Sequence, residues 1–149
     1  MTPVNVPTIL LVEDDPGDQE LVRRAFEEAG GPCRLEIIDD GDVALQYLRR
    51  QGRFSDITGH PRPDLVLLDL NLPRMTGHEV LTEIRADEAL SRIPVVVITT
   101  SSNHEEIDRL YDLAASSYII KPRSHDGFLK LARVMAEYWF GIVSRPSRV

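Results

Sequence analysis

The sequence predicts one α/β domain, a five-stranded parallel sheet with helices on both faces. Strand-length runs rich in Val, Ile and Leu alternate along the chain with segments whose apolar residues recur at helical spacing. Three of the runs are too continuously apolar for a half-exposed antiparallel sheet, so they suit parallel strands covered on both faces. At 149 residues, with no internal repeat or low-complexity linker, one core is expected.

"TILLVED" is the first predicted strand, and Leu21, Ala25, Phe26 and Ala29 form the inward stripe of the helix after it, with Asp18 as its expected N-cap. "CRLEIID" follows, then a helix with Ala44, Tyr47 and Leu48 inward, where Asp39 and Asp40 are expected capping residues. "PDLVLLDL" precedes a helix carrying Val80, Leu81 and Ile84, started by the capping-box pair Thr76 and Glu79. "IPVVVITT" precedes Ile107, Leu110 and Ala114, with Ser102 and Glu105 at the same spacing. "SSYIIKP" precedes the last helix, capped by Ser124, whose stripe is Phe128, Leu131, Met135 and Tyr138. Five strands and five helices in alternation imply right-handed crossovers. Residues 1–7 are expected to be a tail, 8–140 the domain and 141–149 a C-terminal extension. The stretch "RRQGRFSDITGHPRP" at 49–63 is longer than an ordinary connection.

Composition narrows the function classes. A formal charge of −7, from 24 acidic and 17 basic residues, disfavours direct binding to a nucleic-acid backbone. No apolar run approaches the roughly 18 residues of a membrane span, and "MTPVNVP" lacks a signal-peptide core, so a cytoplasmic location is expected. The single cysteine, Cys33, is expected to be a buried core thiol. His60, His78, His104 and His125 show no zinc-type pairing.

The chemistry-bearing residues gather at strand ends. Glu13 and Asp14 close the first strand, Asp69 the third, Thr99 the fourth and Lys121 the fifth. In open parallel sheets ligands collect beyond the carboxyl ends of the strands, at the switch point. In the flavodoxin-like order 2-1-3-4-5 the first and third strands are neighbours, and three carboxylates share one crevice. Two unit charges 4 Å apart repel by about 4 kcal/mol at an effective dielectric of 20, so the cluster calls for a cation. Oxygen donors without His or Cys select a hard ion such as Mg²⁺. With Thr99 to donate a hydrogen bond and Lys121 to pair with an anion, the crevice suits a phosphoryl group, and Asp69 suits the nucleophile that forms an aspartyl phosphate. The chain has neither a G-x-x-x-x-G-K-[ST] nor a G-x-G-x-x-G loop for a nucleotide, so the phosphate donor is expected to be external.

"ILLVEDD", "PDLVLLDLNLPRMTG", "PVVVITTSS" and "SYIIKP" resemble, in order and interval, the signature segments of a bacterial response-regulator receiver domain, over roughly residues 8 to 140. The resemblance implies a two-component switch that accepts a phosphoryl group from a sensor histidine kinase onto Asp69. It assigns Glu13, Asp14, Asp69 and the backbone carbonyl of Asn71 to Mg²⁺, Thr99 and Lys121 to the phosphoryl group, and Tyr118 to an aromatic switch. It also implies a cis Lys121–Pro122 bond. Thr100 and Ser117 depart from the smaller residues usual beside the site and before the aromatic residue. A stand-alone receiver, itself no enzyme beyond its own phosphotransfer and autodephosphorylation, is expected. The 49–63 insertion and the aromatic C-terminus make it similar to the small regulators that serve bacterial phytochrome kinases.

Two other classes fit less well. A haloacid-dehalogenase-like phosphatase needs an acid two residues after the nucleophile, where Asn71 stands. A flavodoxin-like electron carrier needs a phosphate loop after the first strand, where Asp14-Asp15-Pro16 would repel the flavin phosphate. Finally, Trp139, Phe140, Ile142 and Val143 exceed what one helix face can bury. A homodimer through the fourth helix, fifth strand, fifth helix and C-terminal segment is therefore expected, the alternative being that the segment folds back over its own core.

Overall fold

The computed structural model describes residues 6–30, 33–56, 58–100 and 102–142. Strands β1 (Thr8–Val12), β2 (Arg34–Ile38), β3 (Leu65–Asp69), β4 (Val95–Thr99) and β5 (Ser117–Ile120) alternate with helices α1 (Pro16–Ala29), α2 (Gly41–Leu48), α3 (Gly77–Ala86), α4 (His104–Asp112) and α5 (His125–Glu137). All neighbouring strands pair in parallel, in the order β2-β1-β3-β4-β5. The central strands β1, β3 and β4 are buried along their whole length, whereas the edge strands β2 and β5 are partly exposed.

Alternation of side chains along each strand divides the core in two. Leu10, Val12, Val66, Leu68, Val95 and Val97 face Ala44, Leu48, Val80, Ile84 and Leu110 of α2, α3 and α4. Ile9, Leu11, Leu65, Leu67, Val96 and Ile98 face Val22, Phe26, Phe128 and Met135 of α1 and α5. Helices therefore cover both faces, and the carboxyl ends of the strands stay open between them.

Three of the expected caps hold: Asp40 accepts from the backbone of Asp42 and Val43, Thr76 from Glu79, and Ser124 from Gly127. Two shift. Asp15, not Asp18, caps α1, because Pro16 lacks an N–H and its fixed φ suits the first helical position. Asn103, not Ser102, caps α4 by accepting from Glu105 and Glu106. Asp39 is exposed and leaves the capping of α2 to Asp40. Ala114 is exposed at φ +61, because α4 has already ended and Ala115 takes the buried place. Cys33 is half-buried at the edge of the α1/α5 core, where burial pushes its thiol up to about 11.

The C-terminus departs most. Tyr138, expected inside, is 48% exposed, while Trp139 and Phe140 are half-buried against the α1/α5 core. The buried stripe of α5 runs through Phe128, Ala132 and Met135, and ordinary helical spacing continues it to Trp139, four residues after Met135, leaving Tyr138 to one side; the chain then enters a π-turn at Tyr138–Ile142. This part of the segment thus covers its own core. The side chain of Ile142, and all of Val143, lie outside the described residues.

The insertion forms a short 3₁₀ turn, Gly52–Phe54, pinned to α2. Phe54 is buried against Tyr47, whose hydroxyl donates to the Pro61 carbonyl at 2.7 Å, and the Arg50 guanidinium donates to the His60 carbonyl.

Candidate functional site

The strand order brings the five strand-end residues to one crevice. β1 delivers Glu13 and Asp14, the adjacent β3 delivers Asp69, and β4 and β5 deliver Thr99 and Lys121 from the other side. Glu13, Asp69 and Thr99 are buried, and Asp14 is the more accessible acid. One oxygen each from Glu13, Asp14 and Asp69 lie within 4.8 Å of one another. This is the carboxylate cluster that the strand-end acids predict.

Lys121 partly neutralises it. Its Nζ lies 2.5 Å from Glu13 Oε1, 2.6 Å from Asp18 Oδ2 and 3.0 Å from Asp69 Oδ2. Burial works against the ammonium charge, but its bonds to Asp18, Glu13 and Asp69 outweigh that and raise its pKa above the ordinary lysine value. Glu13 responds in the opposite sense. Burial, then the hydrogen bond to and the charge of Asp69, push its carboxyl up to about 8 against the pull of Lys121. Without a cation, one lysine does not suffice to keep all three acids ionised at neutral pH.

Local structure fixes each group. Asp69 Oδ1 accepts from the Asn71 backbone N–H at 3.0 Å, which folds the chain back at the strand end and keeps Asn71 beside the site. The Asn71 amide reaches Thr99 Oγ1 at 3.5 Å. Gly77 lets α3 start hard against this turn, its N–H donating to the Leu70 carbonyl at 3.0 Å. The Lys121 N–H donates to the Thr99 carbonyl at 2.7 Å and ties β5 to β4. The Lys121–Pro122 bond is trans, not cis, as no cis peptide occurs among the described residues. Trans is the intrinsically preferred form of an X–Pro bond. Tyr118 lies opposite Val97 on β5, partly buried against the α2/α3/α4 core.

The residue that sequence reasoning missed is Asp18. It had been assigned to capping, yet its side chain reaches Lys121 across 103 positions of sequence. No local signal marks it, since an acid in the first turn of a helix also suits a capping or helix-dipole role.

The donor set fits a hard divalent cation. It consists of oxygens alone, clustered and short of positive charge, with Glu13 retaining a proton in the absence of more. No helix among the described residues is long and apolar enough to cross a membrane.

Comparison with known proteins agrees with this geometry. The response regulator receiver domain family matches residues 9–133. The chain is 44% identical over 133 residues to the probable methanogenesis regulatory protein FilR2 of Methanothrix harundinacea, covering 89% of this chain and 83% of that one. It is 39% identical over 139 residues to response regulator Rcp1 of Synechocystis, covering 93% and 92%. The phosphorylated cyanobacterial phytochrome response regulator RcpA superimposes with a TM-score of 0.88 at 38% identity, over 96% of this chain and all (100%) of that one. The Mn²⁺-bound form of response regulator Rcp1 superimposes at 0.84 with 38% identity, over 95% and 99%. With a parallel sheet in the order 2-1-3-4-5 and an acidic crevice at its switch point, this chain belongs to the response-regulator receiver domain family, the signalling switches of two-component systems.

Proposed function

We propose that residues 8–140 act as a phosphoacceptor switch, taking a phosphoryl group from a sensor histidine kinase onto Asp69. The observation that carries this reading is the convergence of Lys121, Glu13 and the Asn71 N–H on the Asp69 carboxylate, with Thr99 across the crevice.

In the step proposed, an oxygen of Asp69 attacks phosphorus in line with the P–N bond of a phosphohistidine. As the P–O bond forms, the P–N bond breaks and its electron pair leaves on the kinase imidazole. Lys121 pairs with one phosphoryl oxygen and Thr99 donates a hydrogen bond to another, stabilising the charge carried in transit. Glu13, Asp14, Asp69 and the Asn71 carbonyl would hold a Mg²⁺ ion, which would supply the positive charge that lets carboxylates and phosphoryl oxygens approach. Glu13, whose carboxyl burial pushes up to about 8, would give up its proton to serve as a ligand. The same groups serve autodephosphorylation, and no other catalysis is assigned.

The output is a change of surface. Thr99, drawn to the phosphoryl group, vacates space into which Tyr118 turns, altering the face of α4, β5 and α5. Apart from Val6, the exposed large apolar side chains among the described residues belong to that face or its end: Tyr111, Ile120, Val134 and Tyr138. Such a patch suits a protein contact, and a second copy of the chain is the proposed occupant. The similarity to RcpA, a cyanobacterial phytochrome response regulator, supports a phytochrome as the sensor, and a cytoplasmic location is proposed with it.

The test is incorporation from acetyl phosphate with Mg²⁺, followed by mass spectrometry. Wild type should gain one phosphoryl group and Asp69→Asn none, with the fold unchanged. Full labelling of the Asn variant refutes the assignment.

A further inference from the structure

We propose that Asp18 is a positioning residue for Lys121, the one carboxylate that serves the lysine alone while a divalent cation draws on Glu13 and Asp69. The inference rests on the proposed cation site and extends it to a fourth acid.

An ammonium has three donors, and Lys121 spends them on three carboxylates, Glu13, Asp18 and Asp69. Two of these belong to the cluster whose oxygens lie within 4.8 Å of one another, and Asp18 does not. A cation seated in that cluster takes up charge on Glu13 and Asp69 and repels the ammonium. Asp18 is then the acceptor left to hold it, from the opposite side, on α1. The 10% exposure of the Lys121 side chain leaves water little room to substitute. Reciprocally, without Asp18 the ammonium would lean wholly on Glu13 and Asp69 and compete with the cation.

The first turn of α1 is built for this task. Asp15 accepts the Asp18 N–H at 2.9 Å, and the Gln19 amide donates to the Glu13 carbonyl at 2.6 Å, so the turn is fastened to the end of β1. Asp18 carboxylate and Lys121 ammonium therefore meet as part of a braced contact between α1 and the loop after β5.

The chain has two lysines, Lys121 and Lys130, the latter exposed on α5. In ¹⁵N-labelled protein the Lys121 ammonium should be the one whose protons exchange slowly with water. In wild type that signal should persist when Mg²⁺ is added. In Asp18→Asn it should disappear with Mg²⁺, and calorimetry should find Mg²⁺ binding weakened about tenfold, within the range of ordinary site-to-site coupling. In a Lys121→Met background the same substitution should weaken Mg²⁺ binding about twofold or less, since only the loss of a distant charge remains. Equal weakening in both backgrounds, or a slow Lys121 signal that survives Mg²⁺ in Asp18→Asn, overturns the role of Asp18 and leaves the cation site standing. Wild type that binds no Mg²⁺ overturns both.

Discussion

Substituting Gly77 by Ala tests how tightly the phosphoacceptor turn is built. A Cβ at Gly77 would overlap the carbonyl oxygen of Asp69 and lie 2.7 Å from Leu70 Cα and 3.1 Å from the Asp69 carbonyl carbon. All three obstacles are backbone, so no side-chain rotation relieves them. The Gly77 N–H to Leu70 carbonyl bond would stretch as α3 backs away. Overpacking of this kind costs about 1–3 kcal/mol, here at the upper end. The better helix propensity of Ala returns at most about 1 kcal/mol, leaving a net loss of about 2 kcal/mol. For a domain of this size that lowers the melting temperature by about 4–8 °C. Because the displaced atoms belong to Asp69 itself, Mg²⁺ affinity should fall about tenfold as well. Thermal unfolding followed by circular dichroism, with calorimetric Mg²⁺ titration, checks both. A melting temperature within about 1 °C of wild type with unchanged Mg²⁺ binding would refute the claim that α3 abuts the turn, since an unobstructed Gly→Ala change gives no such loss.

Two further outcomes follow from burial. In metal-free protein Glu13 has a folded-state pKa of about 8 against an ordinary 4.5, so the native chain holds a proton that the unfolded chain releases. The stability it contributes is present in full below about pH 4.5 and is lost as pH rises through about 8, on the order of a few kcal/mol. Urea unfolding in chelator across that range should show the decline in wild type and a flatter profile in Glu13→Gln, and equal slopes would exclude Glu13 as its source. Truncation after Glu137 uncovers the core beneath Trp139 and Phe140 and should destabilise the chain by about 2–3 kcal/mol. Light scattering on the intact protein with beryllofluoride should detect a dimer. A truncated chain as stable as wild type would show that the segment does not cover the core, and an intact chain that stays monomeric at high concentration removes the second-copy reading.

Continuous aliphatic runs such as Leu65–Leu68 and Val95–Ile98 announced a doubly covered parallel sheet because full burial leaves no polar face to alternate with. Glu13, Asp14, Asp69, Thr99 and Lys121 were legible as one site because each sits at a strand's carboxyl end, and parallel strands deliver those ends to one edge. Sequence reasoning could not assign Asp18, because its partner is 103 residues away and nothing local separates a capping acid from one aimed at a distant lysine. It also misplaced Tyr138, since the expected stripe ran through Leu131, while the residues that pack deepest are Phe128, Ala132 and Met135, whose helical spacing leads on to Trp139. Local periodicity and capping chemistry are written into neighbouring residues, so most helix stripes and the caps Asp40, Thr76 and Ser124 were readable, while the caps of α1 and α4 fell on Asp15 and Asn103 instead. Only the tertiary structure decided the lysine's three acceptors, the raised carboxyl of Glu13 and the crowding around Gly77, because each depends on distances between elements far apart in the chain and on how much water their packing excludes.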